Sequence, residues 1–243
     1  MTPAASDHVE HVPPLGDEKP WVRIAWAVAI VAGFFLIQTR AGVIIGFLVG
    51  IGGAMRGMSS DEVVALLSGD GAGSLYLISA IEFATLLSAL VYAIGSGARD
   101  VGLRWDGFSR SMRLLAPLIV VLVALLWLDP GVSLQRALGS PTLGPALLLA
   151  VLVGITEEVV FRGLVIGALG GSRTPDLAVL ISALLFGAVH VAGPDGHVRE
   201  NWGIVVATII GLFGVPFAVV YLRSGSILGL MLVHAAWDAM ILS

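Results

Sequence analysis

Long apolar runs, broken only by short polar joints, decide what this chain can fold into. Residues Ile24 to Ile37 and Ala41 to Met55 are apolar, with Gln38, Thr39 and Arg40 between them. Further runs follow at Leu75 to Ile94, Leu114 to Leu128, Leu143 to about Leu169, Leu177 to Val191, Ile204 to Leu222 and Ile227 to Leu242. Crossing the ~30 Å hydrocarbon core takes about 20 mostly apolar residues. Only 12% of the 243 residues are charged, about half the ~25% of a soluble domain, and the mean hydropathy is +0.97. Too little polar surface remains to face water on all sides. Inside a bilayer, α-helices satisfy their own backbone hydrogen bonds. The expected fold is therefore all-α, a polytopic membrane helix bundle of seven or eight transmembrane helices. The count turns on whether the N-terminal pair makes two short spans or one long bent helix.

Residues 1–20, MTPAASDHVEHVPPLGDEKP, are polar and lack the basic start and apolar core of a secretory signal. They read as a disordered N-terminal tail, with residues 21–243 as an integral membrane domain. His8 and His11 in that tail have no fixed partner and carry no expected metal role. Turn residues mark the joints: Gly-Ser-Arg-Thr-Pro at 171–175, Gly-Pro-Asp-Gly at 193–196 and Arg-Ser-Gly-Ser at 223–226. Arg99, Arg104, Arg110 and Arg113 cluster in one loop, which the positive-inside rule assigns to the cytoplasm. Arg173 and Arg223 then fall on the same side. The N-terminus is inside with seven spans and outside with eight, and Lys19 and Arg23 favour inside. Gly102-Leu-Arg-Trp105 is expected to open an amphipathic segment at the membrane surface. Cysteine is absent, which excludes disulfides, thiolate metal sites and cysteine nucleophiles. No basic patch suggests nucleic acid as a partner.

Against this background the stretch ITEEVVFRG, Ile155 to Gly163, is anomalous. An ionised group at mid-membrane costs about 2.5–3.5 kcal/mol, and such groups generally face the protein interior and mark function. Glu158 and Arg162 are four apart, so they share a helix face and can pair. Glu157 is offset from Glu158 by about 100° on an α-helix and is the spare carboxylate. A carboxylate in apolar surroundings holds a proton more readily than one in water, which suits a proton acceptor near neutral pH. Histidine is scarce, five in all. His197 falls in a loop, His190 lies near the end of one span and His234 lies inside the last span, four residues before Asp238. Three helices thus present Glu157, His190 and the His234/Asp238 pair. Such groups can ligate zinc or activate a water, and helix bundles build sites from facing helices. Taken singly, each has a plain structural use: a histidine bonded to a backbone carbonyl, Glu158–Arg162 as an ion pair, Asp238 at an interface. Glu82, mid-span in SAIEFATLL, reads as structural, lining the same cavity or pairing with an arginine.

The order EExxxR (Glu157, Glu158, Arg162), FxxxH (Phe186, His190) and HxxxD (His234, Asp238) resembles the CPBP family of intramembrane proteases, formerly called Abi, which includes type II CAAX prenyl endopeptidases. The resemblance covers about residues 99–242, the protease-like core. It implies that Glu157 activates the attacking water with help from His190. His234 and the residue at 238 would stabilise the oxyanion or complete a metal site, with Glu158, Arg162 and Phe186 supporting. Eukaryotic prenyl-protein peptidases carry Asn at the last position. An ionised Asp cannot donate to an oxyanion, so Asp238 would instead orient His234 or ligate a metal. A Zn2+ ion held by Glu157, His190, His234 and Asp238 and a metal-independent glutamate mechanism both fit.

The implied substrate is a membrane-embedded or lipid-anchored peptide or protein in the lipid bilayer, and the implied location is an integral place in the bacterial inner membrane. The competing reading is a proton-coupled transporter or a non-catalytic membrane scaffold using the same polar residues. Transporters often show paired halves with broken helices, and no such repeat is visible here.

Overall fold

The computed structural model describes residues 19–68, 71–95, 101–128, 140–170, 173–191 and 203–242. The tail expected over 1–20 lies almost wholly outside them, as do Arg99, His8, His11, His197 and the Gly193–Gly196 loop. The described residues are helical throughout, with no strand among them. The helices are α1 (Pro20–Met55), α2 (Ser60–Ser68), α3 (Ala72–Gly95), α4 (Phe108–Leu128), α5 (Leu143–Glu157), α6 (Pro175–Val189), α7 (Gly203–Ser224) and α8 (Leu228–Leu242). Between α5 and α6 the helix continues as a π-helical segment, Glu158–Val165, and a closing α turn, Ile166–Ala168. This is an all-helical, polytopic membrane protein. Four helical stretches among the described residues are long and apolar enough to cross a bilayer: Pro20–Met55, Ala72–Gly95, Leu143–Ala168 and Gly203–Ser224. Pro175–Val189 and Leu228–Ile241 are shorter apolar helices.

The N-terminal alternative resolves to one helix. α1 runs 36 residues without a break, about 54 Å at 1.5 Å per residue. Gln38, Thr39 and Arg40 interrupt the apolar run but contain no helix breaker. Thr39 bonds back to the Phe35 carbonyl at 2.9 Å, and the Gln38 amide finds a carboxylate. α2 was not anticipated from hydropathy. It starts with a reciprocal cap: the Ser59 N–H donates to Glu62 at 2.7 Å while the Glu62 N–H donates to the Ser59 hydroxyl at 3.3 Å.

The chain forms two compact units. One comprises Met1–Gly33, Val91–Ala116 and Glu157–Leu230; the other comprises Phe34–Leu90, Pro117–Thr156 and Met231–Ser243. In the second unit, small residues bring backbones close. A Cβ on Gly154 of α5 would stand 2.9 Å from the Ala235 nitrogen of α8, so only glycine fits there. Glu82, mostly buried in α3, accepts a 2.6 Å bond from the Gln38 amide of α1. An amide is thus one hydrogen-bond partner of Glu82.

In the first unit, α6 and α7 touch through Gly187 against Ala207 and Gly211, and Ala183 against Gly211. This is the small-xxx-small contact by which membrane helices pack closely. The Gly102–Trp105 stretch is itself non-helical and leads into α4. It belongs to an irregular strap that ends where α4 begins at Phe108. Gly102 has φ +84°, a left-handed conformation that ends any helix and favours glycine. Its carbonyl accepts the Ile227 N–H at 2.8 Å, and the Ser226 hydroxyl donates to the Arg104 carbonyl at 2.6 Å. The strap is thus tied to the α7–α8 turn, where Gly225 at φ +71° makes the reversal. Leu103 and Trp105 remain exposed while Val101 is buried.

Candidate active site

Glu157 is the last residue of α5, with ordinary helical torsions (φ −68°, ψ −39°). From Glu158 onward the backbone widens to π geometry for eight residues, all of them buried. The Ile166 N–H bonds to the Phe161 carbonyl, five residues back rather than four. The expectation of one continuous α-helix over 143–169 is corrected here. π segments are rare and recur at functional sites.

Within the segment the Glu158–Arg162 pair forms as the spacing predicts. Arg162 Nη1 donates to Glu158 Oε1 at 2.8 Å, and the two side chains are 1% and 0% exposed. The rest of the guanidinium is held by aromatic faces. Its carbon lies 4.5 Å from the Phe186 ring centroid and 5.3 Å from that of Phe217, within cation–π range. A longer contact, 3.4 Å, runs from Nη2 to the Gly214 carbonyl. Arg162 therefore ties the π segment to α6 and α7 at once. Removing either charge would leave the other buried, which costs about 3–5 kcal/mol in such pairs.

Glu157 goes elsewhere. Its Oε1 lies 3.9 Å from His190 Nε2, with the carboxylate 13% and the imidazole 30% exposed. His190 is the residue that closes α6 (φ −89°, ψ −1°). Its Nδ1–H donates to the Phe186 carbonyl at 2.8 Å. A carbonyl only accepts, so the proton is on Nδ1, and in the neutral ring the Nε2 lone pair is what faces Glu157. The imidazole packs on Phe186 (centroids 5.1 Å), which meets Phe161 edge-on at 5.1 Å. One cluster thus holds Glu157, Glu158, Arg162, Phe186 and His190 together in the first unit. The second unit carries the remaining pair. His234 Nε2 lies 3.6 Å from Asp238 Oδ2, one helical turn along α8, with both side chains largely buried.

The comparisons with known proteins bear on this geometry. A family model described as type II CAAX prenyl endopeptidase Rce1-like matches residues 139–240. Residues 139–240 are a CAAX-protease-family domain. No curated protein and no solved structure gives a match. The match supports a protease assignment at the level of the family for that segment, and the apolar helices support an integral membrane protein. The match contains all seven motif residues and starts later than the expected core of 99–242.

Whether the CAAX-protease domain could hold zinc is a question of ligand number. Among the described residues no group of three or more His, Asp or Glu side chains is gathered as a metal site. The first unit by itself offers Glu157 and His190, and the second His234 and Asp238. Zinc sites use three or four protein ligands, so neither pair alone is one. Sequence reasoning also missed structural features around Glu157. The π widening, the strap residue Val101 against Gly163 and the buried Ser182 have no signature in the spacing of charged residues.

Proposed function

We propose that this protein hydrolyses peptide bonds of membrane-associated or lipid-anchored peptides, using a water held between Glu157 and His190. The supporting observation is their separation: 3.9 Å between Oε1 and Nε2 is too long for a direct hydrogen bond. A water at about 2.8 Å from each would sit astride it, touching one carboxylate oxygen and one imidazole lone pair. Both are acceptors, so they orient the water's two protons toward themselves and its oxygen lone pair outward. As that oxygen attacks the scissile carbonyl carbon, one proton passes to Glu157. The tetrahedral intermediate then collapses, the C–N bond breaks, and the proton is returned to the departing amine. Glu158 takes no part, because Arg162 already occupies it.

On the same reading, His234 donates to the developing oxyanion and Asp238 orients His234. That assignment rests on motif order and on the His234–Asp238 pairing. A Zn2+ ion is the alternative water activator, and metal content is therefore measured with activity. A bacterial inner membrane fits a short chain of this kind, with peptide or membrane-protein processing as its work.

The test is cleavage of a lipid-anchored peptide library by the purified protein in detergent, alongside Glu157→Gln and with bound metal quantified. Wild-type cleavage that disappears in the folded Gln variant supports the reading. A fully active Glu157→Gln enzyme would sink it, and substoichiometric zinc in an active preparation would assign the chemistry to the glutamate alone.

A further inference from the structure

We infer that Ser182 is a positioning residue: its hydroxyl holds the π segment in register and so sets the spacing between Glu157 and His190. The inference rests on the proteolytic reading for its consequence, but its origin is a departure in hydrogen bonding. Hydroxyls in membrane helices usually bond their own helix one turn back. Ser79, Thr85, Ser88, Thr156 and Thr208 all do so, each to the carbonyl four residues earlier. Ser182 is 1% exposed and does otherwise. It reaches out of α6 and donates to the Phe161 carbonyl at 3.1 Å.

That carbonyl is the one that accepts the Ile166 N–H in the five-residue, π-type bond. A carbonyl oxygen has two lone pairs. One takes the backbone donor and the other takes Ser182, so the hydroxyl fixes the direction in which Phe161 C=O points. An α-register bond from Val165 would need the same oxygen turned back along the axis. Ser182 therefore biases the segment toward the wider register. The consequence is local to the site. Ser182 lies eight residues before His190 on α6, and Phe161 lies four after Glu157. The hydroxyl is a cross-link between the element that carries the base and the element that carries its imidazole partner. Arg162 and Phe186 add a second contact, but one of aromatic and ionic character that tolerates sliding; a single hydrogen bond to a defined carbonyl does not.

Three variants are compared: Ser182→Ala, Ser182→Thr, which keeps the hydroxyl, and Thr85→Val, a control that removes an equally buried hydroxyl bonded to its own helix. Two readouts are taken in lipid nanodiscs: kcat and KM on a farnesylated reporter peptide, and amide hydrogen exchange over residues 158–168. Displacement of a catalytic group by about 1 Å can cost ~100-fold. Ser182→Ala is expected to lower kcat by about 10- to 100-fold with KM within about twofold, and to speed exchange at Ile166. Ser182→Thr should restore most of kcat, and Thr85→Val should change neither readout. Unchanged exchange and kcat in Ser182→Ala would overturn the inference, as would an equal loss in Thr85→Val. If Ser182→Ala does not fold, Ser182→Cys takes its place, and kcat falling in the order Ser, Thr, Cys supports the same conclusion, a flat series refuting it. A wild type that cleaves nothing, or a fully active Glu157→Gln, defeats the proteolytic reading separately; exchange at Ile166 then still decides whether Ser182 holds the register.

Discussion

Glu157 and Glu158 are adjacent in the chain and end in opposite circumstances. Glu158 is sealed from solvent and bonded at 2.8 Å to an arginine that two aromatic rings enclose. Glu157 keeps partial access and faces an imidazole across 3.9 Å. Both arrangements answer the cost of placing a charge in an apolar helix. The first does it with a direct ion pair, the second with a longer approach to a histidine. On the proposed reading, a doubled acidic motif divides its labour, with one carboxylate stabilising the fold around the other.

Substitution should separate the two pairs cleanly. Arg162→Gln strands Glu158 in the interior, and the expected loss is about 3–5 kcal/mol of stability, seen as failed expression or a large drop in Tm. Glu157→Gln should leave Tm within a few degrees while cleavage falls by ~100-fold or more, the usual contribution of a general base. Stable Arg162→Gln together with unfolded Glu157→Gln would invert the comparison and refute it. A sharper form replaces both members of the closed pair, Glu158→Leu with Arg162→Met. Apolar replacements of whole buried pairs are often close to neutral, so the double variant should melt above either single one. Double-mutant-cycle Tm values check this.

How much of this could be read from the chain differs by scale. Helix limits were legible because hydropathy reports burial in lipid: Leu75 to Ile94 became Ala72–Gly95, and Ile204 to Leu222 became Gly203–Ser224. Pairs at one helical turn were legible too, since Glu158–Arg162, Phe186–His190 and His234–Asp238 need only local geometry. The π register was not. The contact that we infer to hold it is tertiary: the Ser182 hydroxyl from α6 on the Phe161 carbonyl. Nothing in VVFRG itself distinguishes a π-helix from an α-helix. The continuity of α1 is readable in principle, because Gln38-Thr39-Arg40 interrupts the hydropathy but contains no helix breaker. The start of α2 was readable as well, from Ser59-x-x-Glu62.

Glycines give a smaller test of the same contrast between closed and open surroundings. A Cβ on Gly163 would lie 2.8 Å from the Val101 Cβ and 3.0 Å from its carbonyl oxygen. Gly163→Ala should therefore cost about 1–3 kcal/mol, the range for overpacking. Adding Val101→Gly removes the nearer atom and should recover part of the loss. Gly46 in α1 has nothing within 4 Å of its added Cβ. Gly46→Ala should be neutral or stabilising by up to about 1 kcal/mol through helix propensity. Thermal melts of the four proteins in one detergent suffice, and equal effects at Gly163 and Gly46 would mean that the strap does not press on the π segment.

The smallest expected effect concerns a third glutamate, and it completes the series from sealed to open to exposed. Glu62 caps α2 and is exposed to solvent. The Ser59 N–H and then the Ser59 hydroxyl hold its carboxyl below the usual carboxylate range. A folded-state value below the unfolded one means that the unfolded chain binds the proton more tightly. The cap's contribution is therefore complete above the ordinary glutamate value and fades as pH falls through the lowered one. Amide exchange at Glu62 and its neighbours should stay constant from neutral pH down to the ordinary carboxylate range, after correction for intrinsic rates, and rise only below it. In Ser59→Ala, which keeps the backbone donor and loses the hydroxyl, that rise should begin at higher pH. An unchanged onset would show that the backbone donor alone holds the carboxylate. Because Glu62 lies outside the apolar spans, its titration should leave cleavage at neutral pH untouched, which is what separates a capping carboxylate from one that faces an imidazole inside the membrane.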